Sequence, residues 1–127
     1  MDYIPVSQGQ DIFIEADGEK LGIVESYRCR TVRENRSISE IGTSEAAASV
    51  GGRLMHYIEL TRVFIDGDFK DGVDFYELSD FNIVIVKPTC RIIYSGCEWT
   101  DVLETGGIHG NVIEKVTLTA VKRRRLN

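Results

Sequence analysis

Two runs near the end of the chain decide its fold class. The first is Cys90-Arg91-Ile92-Ile93-Tyr94-Ser95-Gly96-Cys97-Glu98-Trp99, and the second is Val112-Ile113-Glu114-Lys115-Val116-Thr117-Leu118-Thr119-Ala120-Val121. Between them lies a polar, glycine-rich break, Thr105-Gly106-Gly107-Ile108-His109-Gly110-Asn111. Both runs are rich in β-branched and aromatic residues, as half-buried strands are. Side chains alternate along a strand, so the second run divides into Val112, Val116, Leu118 and Ala120 on one side and Ile113, Lys115, Thr117, Thr119 and Val121 on the other. It runs out in Lys122-Arg123-Arg124-Arg125, and residues 122–127 read as a basic C-terminal tail.

Working outward, strand patterns continue. Arg53 to Ile65 is the strongest, with Leu54, His56, Ile58, Leu60 and Phe64 on one face, interrupted by Arg62, and Met55, Tyr57, Glu59, Thr61 and Val63 on the other. Two partly apolar faces suit a strand packed on both sides. Ile12 to Ala16 runs into Asp17-Gly18, a tight-turn signal. Leu21 to Val32 then alternates, with Tyr27, Cys29 and Thr31 opposed to Arg28 and Arg30. Two arginines on one face place that face against water or a partner. Asn82 to Lys87 is a further strand, ended by Pro88-Thr89, where proline's missing donor marks a turn, bulge or edge. Asp71 to Phe81 reads as a short helix or ordered loop over the sheet, and residues 1–10 as an N-terminal arm.

Residues 34–52 break the pattern. Asn35, Arg36, Ser37, Ser39, Thr43, Ser44 and Ser49 are polar, and Ala46-Ala47-Ala48 suits at most a helical turn. We expect a long polar loop here, ordered against a neighbour through the sparse Ile38, Ile41 and Val50. The fold expected is mainly β: a single-domain β-barrel or β-sandwich with one short flanking helix and this long loop.

The chain has 127 residues, 43% of them hydrophobic and 28% charged, a composition suited to one folded domain with its own core. The formal net charge of −5 disfavours general nucleic-acid binding. Acids concentrate at Asp66, Asp68, Asp71, Asp74, Glu77 and Asp80, whereas Lys122 to Arg125 are basic. The two regions either pair between subunits or are both simply solvated. Cys29, Cys90 and Cys97 form no CxxC pair and no disulfide or zinc framework. The opening Met1-Asp2-Tyr3-Ile4-Pro5 carries no signal-peptide pattern, and no apolar run is long enough for a membrane anchor, so a reducing cytosol is expected.

Catalytic signatures are absent from the sequence. His56 and His109 are far apart, and HExxH, GxSxG and GxxxxGK[ST] do not occur. Asp66-Gly67-Asp68-Phe69-Lys70-Asp71 lacks the DxDxDG register and distal glutamate of a calcium loop. No pair of acids is singled out for hydrolysis, and each cysteine reads as a small hydrophobe. We expect no enzyme activity, no metal and no cofactor.

The order of elements resembles the tail tube proteins of bacteriophages and of phage-derived contractile particles of Gram-positive bacteria. The resemblance spans about residues 11 to 124: the strand and turn Ile12 to Gly18, the charged strand Leu21 to Arg33, the loop Glu34 to Arg53, the strand Leu54 to Asp66, the acidic segment Asp71 to Phe81, and the close through Ile92–Trp99 and Ile113–Ala120. It is a resemblance of pattern and contains no short motif. It implies a homo-oligomer, a hexameric ring whose copies join their sheets around a channel, with rings stacking into a tube. DNA would pass through the lumen without specific binding. The 34–52 loop would reach the adjacent ring, and tail sheath, tape-measure or baseplate proteins would be further partners. Such a subunit is assembled in the bacterial host cytoplasm and ends in a virion tail or prophage-derived particle.

The residues expected at the assembly interface are Arg28, Arg30, Arg36, Ile38, Ile41, Thr43, Ala47, Val50, Arg123 and Arg124. The alternative is an adaptor, a monomeric baseplate or tail-completion component that binds another tail protein.

Overall fold

The computed structural model describes residues 9–39, 46–65 and 74–127. Seven strands follow in chain order: β1 (Asp11–Ala16), β2 (Glu19–Ser39), β3 (Ala46–Ile65), β4 (Phe81–Val86), β5 (Arg91–Gly107), β6 (Gly110–Ala120) and β7 (Lys122–Leu126). They form one antiparallel sheet in the order β4-β1-β2-β3-β6-β5-β7, with a further pairing between β4 and β5. The pairings therefore run in a circuit, β4 to β1, β2, β3, β6, β5 and back to β4. β7 continues the line of β6 after a break at Val121, whose N–H donates to the Ser95 carbonyl at 3.2 Å.

Tight turns close the short hairpins. Asp17 and Gly18 adopt φ of 52° and 80°, the left-handed pair that a two-residue hairpin needs, and join β1 to β2 with Ala16 opposite Glu19. The glycine-rich break proves to be a hairpin tip, with Gly107 opposite Gly110 around Ile108-His109. Pro88-Thr89 lies in the turn from β4 to β5, closed by Lys87 N–H on the Cys90 carbonyl at 2.8 Å, so proline is spared a ladder position.

The core fills one face of the sheet. Ile14, Leu60, Phe81, Ile83, Ile85, Cys97, Val116, Leu118 and Ala120 are sealed from solvent, joined by Ile12, Leu21, Val24, Ile58, Val63, Ile92, Tyr94 and Ile113. Phe75 meets Phe81 edge-on at 6.0 Å, which brings the segment before β4 onto the same core. The three cysteines are free thiols, and Cys90 and Cys97 are buried among these residues.

Strict alternation fails along one line across the sheet. Inward positions step by three, not two, from Val24 to the half-buried Tyr27 on β2, from Leu60 to Val63 on β3 and from Ile113 to Val116 on β6. Arg62 sits on that line with φ 56°, a left-handed conformation that turns the β3 backbone so that Val63 points inward. Phe64, expected on the same face as Ile58 and Leu60, is thereby turned to the opposite side and is 49% exposed. Leu54, expected on the face of His56, Ile58 and Leu60, lies beyond the last pairing of β3 with β6 and is 45% exposed. On β6 it is Ile113, not Val112, that is buried.

Two expected elements are corrected. Residues 34–39 and 46–52 are not an irregular loop: β2 and β3 run through them as a two-stranded ribbon, paired from Arg33–Leu54 out to Ser39–Ala46, and residues 40–45 lie outside the described residues. Ala46, Ala47 and Ala48 are strand and not a helical turn. The polar sequence tolerates this because each ribbon strand finds its hydrogen-bond partners in the other's ladder. Gly51 lets the Arg33 guanidinium lie across the ribbon, and Gly52 sits where a Cβ would collide with the Glu34 carbonyl, beside a register shift at Arg33–Asn35. The flanking helix expected over Asp71–Phe81 is also not found from residue 74 onward, and residues 71–73 lie outside the described residues. What is present is a single 3₁₀ turn, Phe75–Glu77, capped by Asp74, whose Oδ1 accepts from the Tyr76 N–H at 3.0 Å. Residues 122–127 are mostly strand β7, and residues 1–8 of the expected arm lie outside the described residues.

Candidate assembly surface

The expected interface residues fall in three places. Arg28 and Arg30 stand exposed on the outer face of β2, opposite Glu59 and Tyr57 of β3. Arg28 has a partner within the chain, its Nε lying 3.6 Å from Glu59 Oε1, and Lys115 Nζ approaches the other Glu59 oxygen at 3.1 Å. Arg62 bridges its neighbours likewise, 4.0 Å from Glu25 and 3.6 Å from Glu114. A belt of ion pairs thus crosses β2, β3 and β6 where the alternation slips.

Arg36, Ile38, Ala47 and Val50 lie in the ribbon, where the register pairs Arg36 with Val50 and Ile38 with Ala48. Ile41 and Thr43 lie outside the described residues. Arg123 and Arg124 are on β7, opposite Tyr94 and Ile93 respectively, so they take opposite faces of that strand. The structure does not gather these positions into one site. They mark a ribbon, a strand face and an edge.

Several strands leave an edge without a partner among the described residues. β1 reaches only as far as Val24, so β2 from Glu25 to Ser39 has β3 on one side and no strand on the other. β3 before His56 pairs with β2 alone, and β7 pairs only with β5. Unpaired N–H and C=O groups along such edges are a template for another chain.

One feature escaped sequence reasoning. Phe64, Ile23, Phe13, Val84 and Ile93 are successive register partners across β3, β2, β1, β4 and β5. They lie on the face opposite the core and form a continuous apolar row. Ile23 is 53% exposed, while Val84 in the middle is only 2% exposed, and Lys20 Nζ sits 5.0 Å above the Phe13 ring. The signal was the unbroken apolar runs Ile12-Phe13-Ile14 and Ile83-Val84-Ile85, which alternate with nothing polar.

At the root of the ribbon is a buried polar group. His56 is 2% exposed, its Nδ1 lies 2.9 Å from Thr31 Oγ1, and its ring meets Tyr94 edge-on at 5.4 Å. Burial holds the imidazole below its usual pKa, and the Arg123 guanidinium lowers it further. Burial pushes the Tyr94 phenol up to about 12; a hydrogen bond with Cys29 adds to the rise and Arg123 opposes it. The Cys97 thiol is likewise raised to about 12 by burial, which keeps it protonated and unreactive. At the other end the Tyr76 hydroxyl donates to Glu104 Oε1 at 2.6 Å while its ring stands edge-on to Trp99.

Among the described residues no group of three or more His, Cys, Asp or Glu is placed to share a metal ion, and no helix is long and apolar enough to cross a membrane. The chain matches no protein-family model and no curated protein.

Proposed function

We propose that this chain is a structural, self-assembling subunit of a phage tail tube or a related injection machine. The circuit of strand pairings is read as a closed barrel, and copies of it as a ring, hexameric by the resemblance, that stacks around a channel. The observation that carries this reading is the ribbon. Among the described residues, 33–39 and 46–55 extend beyond the sheet with only each other as partners, and the β2 edge beside them is open over many residues. An isolated two-stranded ribbon is marginal in water, so a long one is best accounted for by a neighbour that covers it. The outer apolar row supplies further surface of the kind interfaces bury. On this reading the chain catalyses nothing and its work is geometric, the particle forming in the host cytoplasm and passing into the virion tail.

Negative-stain electron microscopy of the purified, concentrated protein tests it. Rings or tubes with a central channel are expected. A second protein, with residues 36–50 replaced by Asn-Gly between Asn35 and Gly51, keeps the whole core and is expected to fold but not to stack. Tubes from that shortened protein would remove the ribbon's role. A monomer at every concentration, with and without added tail proteins, would end the self-assembly reading, and binding to one such protein as a monomer would establish the adaptor.

A further inference from the structure

Among the described residues, charge is sorted by end along the strands. One end holds the ribbon, the β4–β5 turn and β7. It carries Lys87, Arg91 and the exposed Lys122, Arg123, Arg124 and Arg125, with Arg30, Arg33 and Arg53 on the adjoining ribbon root and Asp11 and Glu34 as the opposing acids. The other end holds the β1–β2 hairpin, the far part of β5 and the capped 3₁₀ turn. It carries Asp17, Glu19, Asp74, Glu77, Asp80 and Glu104, all exposed, with Lys20 as the opposing cation. Between the ends lie the internal ion pairs: among the described residues every ion pair falls in the belt formed by Glu25, Arg28, Glu59, Arg62, Glu114 and Lys115, while Glu98 and Asp101 are exposed acids on β5.

We propose that the two ends are a complementary pair of docking surfaces, the basic end of one copy seating on the acidic end of a second copy of this chain. The proposal rests on the assembly reading above and names the faces that meet. A chain whose two ends carry opposite excess charge repels itself end to like end and attracts itself head to tail. Such a contact uses two different patches, so it does not close on itself and propagates as an open stack of fixed polarity. Because the end charges are exposed, the attraction reaches about 30 Å in 0.01 M salt and only about 3 Å in 1 M salt. Stack growth is therefore governed by ionic strength.

Charge-swapped partners test this. In one protein Lys122, Arg124 and Arg125 are changed to glutamate, which removes nearly all of the basic end's excess charge while leaving Arg123 at Tyr94. In the other, Glu19→Lys and Glu77→Lys remove nearly all of the acidic end's excess charge, at positions free of the turn's capping contacts. Far-UV circular dichroism checks that each is folded, and sedimentation velocity at about 20 mM and about 500 mM salt reads association. Each variant alone is expected to associate about tenfold or more weakly than the parent at low salt, and an equimolar mixture to recover the heavier species and lose it at high salt. A mixture no heavier than its components, or association indifferent to salt, overturns the proposal. Rings seen for the parent alongside that negative result would leave self-assembly standing and remove only the end-to-end polarity. Absence of both would remove the two together.

Discussion

His56 is the residue whose surroundings say most about how this sheet is held at its open end. It takes part in three things at once: the last β3–β6 pairing, with Ala120; a hydrogen bond to Thr31 of β2; and an edge contact with Tyr94 of β5. A neutral imidazole satisfies all three, whereas an imidazolium is placed without water beside Arg123. The folded pKa lies below that of the unfolded chain, so between the two the unfolded state binds the proton and the native state does not. Stability is therefore complete above the ordinary histidine pKa of about 6.5 and declines as pH falls below it. Thermal melts from pH 7.5 to pH 5 should show this decline, and His56→Gln should flatten it while lowering Tm throughout. A parent whose Tm is level across that range would contradict the assignment. None of this was visible in the sequence, where His56 is one more alternating position; its partners come from three other strands, and only the fold assembles them.

At the scale of the elements, the strands were legible and their phase was not. Alternation in Arg53–Ile65 and in Ile113–Ala120 identifies strands reliably, because a period of two has few other readings over that length. It cannot show that three strands slip phase together, since the slip is made by backbone conformation at Arg62 and by register with its neighbours. The ribbon was missed for a related reason. Serine, asparagine and glycine weaken a strand by propensity, yet a hairpin already in register continues as long as each residue finds its partner's ladder. Arg62 gives a direct test. A β-branched residue resists a left-handed φ, so Arg62→Val should destabilise by about 1–3 kcal/mol in urea denaturation, the strain term joining the loss of two weak surface ion pairs. Arg62→Gly releases the strain and should stay within about 1 kcal/mol of the parent. Equal losses for the two would mean that the ion pairs, and not the backbone, hold this position.

For the whole molecule, the decisive property is the circuit of pairings. β1 meets β4 through partners far apart in the chain, Asp11 with Val86 and Ile14 with Ile83, and β4 meets β5 to complete the round. No strand of that circuit can leave without exposing core on both sides, so unfolding should be all-or-none. Far-UV circular dichroism and Trp99 fluorescence are expected to give superimposable denaturation curves. Separate midpoints would show that part of the sheet melts on its own. The ribbon does have a mechanical meaning in this setting. β2 and β3 run from the ribbon into the core without interruption, and there they lie along β1 and β6 for many residues. A pull applied to the ribbon along its length would load those two ladders in shear, with many hydrogen bonds resisting together, and not peel them one at a time. Tension entering at the outermost part of the molecule is in this way delivered to its most tightly packed interior, which makes the ribbon a tensile member anchored in the sheet.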